Sequence, residues 1–377
     1  MTSEHSVSKK EPLVHISKRD RISFGKAWGI RIIAVLISLV VCALVIVALT
    51  KLNPLEVYRS IADGAVGTER RLWVTIRDTM ILLCIAVGLT PAFKMRFWNI
   101  GAEGQILMGA IFASYFALFC ADSMPSGLLI FVMFIAGAVG GGIWGLIPAV
   151  FKARWNTNET LFTLMLNYIA LGIVNYLRTG PWKDPSNTYP KIAMFDDAAR
   201  LPSFLGVNAG WVLVVLLTIG MYIYMKYTKQ GYEISVVGES ERTAAYAGMS
   251  VSKIIMRTMF ISGAIAGVVG VIIVSGNTFT LSENTTSGYG FTAITVAWLA
   301  ALNPFAMVVI SIFLAVLTKG ANTIQTNFKI PASASEVLTG LILFFLLACE
   351  FFISYKLVFR KKHHSESGAA LKEAEHE

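Results

Sequence analysis

The chain has 377 residues, 55% of them hydrophobic and only 15% charged, with a mean hydropathy of +0.64. Soluble domains carry roughly 25% charged residues, so this composition excludes an ordinary soluble enzyme and points to an integral membrane protein. The net charge of +9 invites a nucleic-acid reading, but the basic residues gather at the ends of apolar stretches, so no nucleic-acid partner is expected.

Residues 1–28 are polar and basic and read as a disordered cytoplasmic leader. Apolar stretches able to cross roughly 30 Å of hydrocarbon then recur at 30–49, 73–93, 98–120, 126–150, 159–179, 211–228, 254–276, 290–302, 304–321 and 335–358. The predicted fold is all-α: a polytopic membrane protein of about ten transmembrane helices over 29–359, with 290–302 short enough to be a tilted or broken span. The first stretch follows a long polar leader and reads as a retained span, not a cleaved signal. An even count puts both termini on one side. Lys94, Arg96, Lys152, Arg154, Lys226, Lys229, Arg242, Lys253 and Arg360–Lys362 make that side cytoplasmic. The connection 51–72, with Lys51, Arg59, Arg70 and Arg71, runs against the rule. The tail 360–377 is expected to be disordered.

Cys42, Cys84, Cys120 and Cys349 lie in or beside apolar stretches with no CxxC pair, and all five histidines sit in the terminal tails. No disulfide framework, metal site or cofactor is expected.

The polar residues inside the apolar stretches carry the functional signal. Arg77 and Asp78 interrupt 73–93, either snorkelling near its end or lining a pore, and Pro91 is expected to end that helix. Phe97 to Gln105 then places the carboxylate of Glu103, the carboxamides of Asn99 and Gln105 and two glycines at the mouth of the next stretch. A carboxylate at bilayer depth costs a few kcal/mol unless paired or wetted. Glu103 is therefore either functional or a first-turn charge favourable to the helix dipole, with Asn99 as the cap. Gly137, Gly141 and Gly145 make a small-residue face for close helix packing. Asn167, Tyr168 and Asn175 lie well inside 159–179, where they hold neighbouring helices or line a polar passage.

The Pro-rich connection 180–208 is expected to form turns or a surface helix on the outer side. The loop 226–253 carries a short small-residue helix with a charged lead. It is either an amphipathic surface helix or a docking knob built from Gly238, Glu239, Glu241, Arg242, Ala244, Ala245 and Gly248. Ser262, Gly263, Gly267 and Gly270 give a second close-packing face. No G-x-x-x-x-G-K-[ST] motif and no nucleophile elbow occurs, so the chain is not expected to be an enzyme.

The run FWNIGAEGQILMGA resembles the FNIGAEGQ signature of the branched-chain amino acid and simple-sugar permease superfamily, the membrane-spanning subunits of bacterial ABC importers for nucleosides and related compounds. The NE…MLNYIA region from Asn158, the AA..AG region at Ala244–Gly248 and the GF..I.VA.L run from Gly290 to Leu299 resemble the same family. Together these resemblances cover about 71–359. They imply a type II importer-like permease in the bacterial cell membrane, paired with a second permease subunit, an ATP-binding subunit docked on 226–253 and an extracytoplasmic substrate-binding lipoprotein, all amid membrane lipid. ATP hydrolysis would belong to the partner. The implied cargo is a nucleoside, with a simple sugar such as ribose as the alternative. Asn99, Glu103, Gln105, Asn167, Tyr168, Asn175 and Trp298 are the path-lining candidates, Tyr168 and Trp298 as an aromatic wall for a base. The rival reading is an ion-coupled secondary transporter with Arg77, Asp78, Glu103 and Lys319 as its relay. Such folds are often built from two related halves, and no internal repeat of the signature supports it.

Overall fold

A computed structural model describes residues 14–18, 24–204 and 206–359. Parts of the predicted leader and the whole predicted tail from 360 lie outside the described residues. Helices dominate: α1 (Phe24–Thr50), α2 (Pro54–Val66), α3 (Glu69–Lys94), α4 (Ala102–Phe119), α5 (Ser126–Trp155), α6 (Glu159–Thr179), α7 (Gly210–Tyr227), α8 (Lys229–Glu239), α9 (Glu241–Tyr246), α10 (Val251–Ile273), α11 (Tyr289–Leu299), α12 (Pro304–Phe328) and α13 (Ala332–Ser354). A π-helical turn, Val274–Thr278, extends α10. Two ribbons complete the description: β1 (Val14–Lys18) pairs antiparallel with β4 (Tyr355–Phe359), and β2 (Ser203–Phe204) with β3 (Val207–Asn208).

Each of the ten apolar stretches falls on a helix. Among the described residues, seven helices are long and apolar enough to cross a membrane: α3 to α7, α10 with its π turn, and α12. Shorter apolar segments lie at Leu36–Ala48 in α1, in α11, and at Ser333–Phe345 in α13. Four details differ from expectation. The end of the last predicted span, 355–358, lies in strand β4. The segment 14–18, inside the predicted leader, is a strand. The connection 51–72 contains α2, started by Asn53, whose side chain accepts from the Leu55 N–H, with Pro54 at the first helical position. And α3 continues one turn past Pro91. A proline loses only its own N–H, and its carbonyl still accepts from Met95 N–H at 3.1 Å, so the last turn closes.

The chain divides into two compact units, residues 52–335 and the two ends, up to 51 and from 336. In the terminal unit the Cys42 thiol donates to the Leu338 carbonyl across α1 and α13 at 3.8 Å. In the larger unit α3 is buried on every side from Ile81 to Phe93, as expected of a central helix without a polar face. Beside it α4, α5 and α10 cross at their glycines. A Cβ on Gly109 would overlap the Gly267 backbone, and Cβ atoms on Gly141 and Gly263 would overlap each other's helices. Lipid tails are as apolar as leucine, so helices in a membrane gain from such backbone-close packing where side chains would hold them apart.

The connection 180–208 has the expected turns, one 3-10 turn at Asp197–Ala199, and the β2–β3 ribbon. Within it Asp184 accepts from the Ser186 hydroxyl at 2.6 Å and the Ser186 N–H at 2.9 Å, which holds its carboxyl below the usual range.

The glycine crossing yields a test. Gly141→Leu should lower the melting midpoint of the protein in detergent, a loss of about 1–3 kcal/mol from overpacking. Gly220→Leu, at a position on α7 with nothing within 4 Å, should leave the midpoint unchanged.

Candidate functional site

The signature stretch folds as a break between helices. α3 ends at Lys94, Arg96 takes a positive φ of 60°, and 97–101 runs without helix to the start of α4. Such backbone needs partners from elsewhere in the protein. Asn99, fully buried, supplies several: its Oδ1 accepts from Gly101 N–H at 3.0 Å and from Gln105 Nε2 at 3.1 Å. Its Nδ2 donates to Gln105 Oε1 at 3.2 Å and to the Ser262 hydroxyl at 3.5 Å. The helix cap itself is Gly101, which makes no side-chain cap bond, so Asn99 braces the turn before the helix.

Asn167 on α6 closes the other side. Its Nδ2 donates to Ile100 O at 3.0 Å and its Oδ1 accepts from Gly104 N–H at 2.8 Å. The Thr163 hydroxyl, one turn earlier, accepts from Ile100 N–H at 3.2 Å. Two stretches singled out separately in the sequence are thus one hydrogen-bonded unit. Asn175 stands apart, accepting from Arg178, which also reaches Glu283. Tyr168 points outward and is 64% exposed.

Glu103 is only 5% exposed. Its Oε1 accepts from the N–H of Gly290, in the first turn of α11, at 3.0 Å. Its Oε2 is buried without a hydrogen-bond partner among the described residues. At the far end of α11, Trp298 stacks on Trp98 with ring centroids 5.1 Å apart and planes 13° from parallel, and Phe93 touches both rings. Such a stack adds about 0.5–1.5 kcal/mol beyond its buried area. Both indoles remain partly exposed, so one aromatic face is open.

The charges within α3 are paired. Lys319 on α12 lies 2.6 Å from Asp78, and Arg77 lies 3.5 Å from it on the other oxygen. The Tyr289 hydroxyl also faces Asp78. Cavities of about 480 and 610 Å³ open beside the start of α3 and share Arg70 and Val74, the first reaching Arg77 and the second Lys319.

At the opposite end of α3 the 226–253 loop forms two helices, α8 and α9. Gly238 is buried, and a Cβ there would overlap the Lys94 carbonyl, so α8 rests directly on the end of α3. In α9 the Ser240 hydroxyl caps by accepting from Thr243 N–H, and only Ala244 is buried. Glu239, Glu241, Arg242, Ala245 and Gly248 are exposed, and Tyr246 is 92% exposed. A cleft of about 170 Å³ between Met95, Lys152, Glu159 and Gly238–Glu241 lies beside this knob. Lys152 and Glu159, 3.0 Å apart, bridge its wall.

Thr163, Trp98 and Tyr289 were not singled out by sequence reasoning, and Ser262 was read only as part of a close-packing face. Trp98 stood inside the signature, but its partner lies 200 residues on; no local periodicity signals such a pairing.

Residues 73–347 match the family model described as branched-chain amino acid transport system / permease component. The chain belongs to that family. A glucose ABC transporter permease protein of Haloferax volcanii is 30% identical over 91% of this chain and 93% of its own length. A guanosine ABC transporter permease protein of Bacillus subtilis is 29% identical over 77% of this chain and 84% of its own. A nucleoside ABC transporter permease protein of Lactococcus lactis is 30% identical over 81% and 86% respectively.

The Asn99–Gln105 pair gives a prediction. Asn99→Ala should destabilise the protein by about 1–3 kcal/mol, because it strands the buried Gln105 carboxamide. Adding Gln105→Met should recover part of that loss in a thermal melt, since only the Gly101 N–H and the Ser262 hydroxyl then lack the partner that Asn99 gave them.

Proposed function

We propose that this chain is the membrane-spanning permease subunit of an ATP-driven importer that moves nucleosides into the cell. Its class rests on the family. The nucleoside cargo rests on the guanosine and nucleoside permeases among its relatives, together with the open aromatic face at Trp98 and Trp298, against which a base can stack. A sugar is the second reading, supported by the glucose permease relative.

In this reading an ATP-binding subunit seats on α9. The observation that carries docking is the exposure of every α9 residue except Ala244, on a helix held firmly by α8 against α3. A second, non-identical permease completes the path, and an extracytoplasmic lipoprotein delivers cargo to the end of α3 where the two large cavities open. Both termini lie in the cytoplasm. Nucleotide-driven closure of the ATPases pushes α9 and switches access from one side to the other, a rigid-body change.

Ala245→Glu should abolish co-purification of the ATPase while the chain still inserts; undiminished co-purification would sink the docking assignment. For cargo, cells carrying the chain should take up labelled guanosine in the presence of excess ribose, and lose that uptake when the ATPase is deleted. Competition by ribose would move the cargo to sugars. Uptake that survives the deletion and follows an ion gradient would instead favour the Asp78–Lys319 relay.

A further inference from the structure

We infer that Glu103 is a positioning residue: its carboxylate latches the start of α11, and α11 is a hinged half-helix that carries Trp298. At 11 residues α11 is about 16 Å long, roughly half the hydrocarbon thickness. Its ends are built from backbone that side chains disfavour. Ser287 and Gly288 have φ of 45° and 76° before it, and Ala301 and Leu302 have φ of 47° and 59° behind it. Two successive non-glycine residues in the left-handed region persist only where their surroundings hold them, and such positions mark hinges and switches.

α11 packs along α3, α4 and α12, and three specific contacts fix its ends. Trp298 stacks on Trp98 at one end. At the other, Gly290 donates to Glu103, while the neighbouring Tyr289 faces Asp78, itself paired with Lys319. Gly290 leaves no room for a side chain: a Cβ would sit 2.7 Å from the Glu103 backbone nitrogen, so the starts of α4 and α11 abut. Glu103 also stands in the first turn of α4. One carboxyl group therefore stands at the starts of two helices. A carboxylate that bound cargo would face open space. This one is buried, and its one hydrogen bond is to the start of α11, so it acts through that helix and the indole at its far end.

The test uses the full chain in its native membranes with its partners present, and with Cys42, Cys84, Cys120 and Cys349 replaced by alanine. In that background Ala297→Cys puts a thiol on α11 and Ala86→Cys puts one on α3, both at fully buried positions. N-ethylmaleimide modification of each is timed by mass. Glu103→Ala should speed labelling at position 297 about tenfold, the effect of losing one hydrogen bond and leaving the Gly290 N–H without its partner, and leave position 86 unchanged. Glu103→Gln, whose carbonyl still accepts from Gly290, should restore part of the protection. An unchanged rate at 297 overturns the latch. Equal acceleration at 297 and 86 means general loosening and overturns it too. The labelling needs no transport, whereas a parallel uptake measurement rests on the importer reading. There Glu103→Ala should lower the maximal rate with little change in half-saturation, and a change in half-saturation alone would return Glu103 to cargo binding. If the parent takes up no cargo, the importer reading fails and the labelling result still stands.

Discussion

The backbone of 97–101 has left one helix and not yet entered the next, and it does so in a chain whose composition belongs in lipid. There each unsatisfied N–H or carbonyl costs several kcal/mol, since no water is at hand to pair with it. Asn99, Thr163 and Asn167 supply partners for Ile100, Gly101 and Gly104. Neither segment is stable in this form without the other. The break also allows α4 to begin beside α11, so the carboxylate in its first turn reaches Gly290. The glycine crossing of α4, α5 and α10 then fixes how closely the supporting helices approach, and the tightness of that crossing keeps the carboxamides in register.

Two kinds of polar group are buried here, and they do different work. Asn99, Gln105 and Asn167 are neutral and short, and their bonds are spent on backbone and on each other. They rigidify, as fully satisfied networks do. Asp78 and Lys319 form an ion pair, while Glu103 bonds a backbone N–H, and both contacts join elements that are far apart in sequence. Removing one partner of such a pair is costly because the other charge stays behind. That asymmetry suits a joint that must be firm in one state and broken in another, whereas the carboxamide network suits a frame that does not move.

Much of this was legible in the sequence. Hydropathy located every helix long enough to span, because the bilayer sets a length that single segments must meet. The glycines of 137–145 and 263–270 announced close packing, and Asn99, Glu103 and Asn167 stood out by being polar where polarity is expensive. The pairings did not. That Asn167 serves the signature, that Lys319 answers Asp78 and that Trp298 covers Trp98 are long-range facts, with no trace in local spacing. α2 is another matter. Its Asn53–Pro54 start is the same signal that Asn303–Pro304 gives for α12, but its mixed polarity offers no apolar run of spanning length.

The same contacts suggest how a push at one end could be felt at the other. In the proposed importer a force on α9 enters α8, and Gly238 passes it to the Lys94 carbonyl without an intervening side chain to absorb it. α3 is packed on all sides through its lower half and has little freedom to bend, so it transmits displacement as a rod. Its last turn carries Phe93, which touches both indoles of the Trp98–Trp298 stack. Nine residues into its first half it carries Asp78, which faces Tyr289. A shift of α3 along its axis thus acts on both ends of α11 together. Coupling across a protein requires an element with two discrete arrangements, not a wire of contacts alone. A short helix packed along α3, with a left-handed bend behind it and a carboxylate in front, is suited to be that element, because a shift of α3 reaches both of its ends at once.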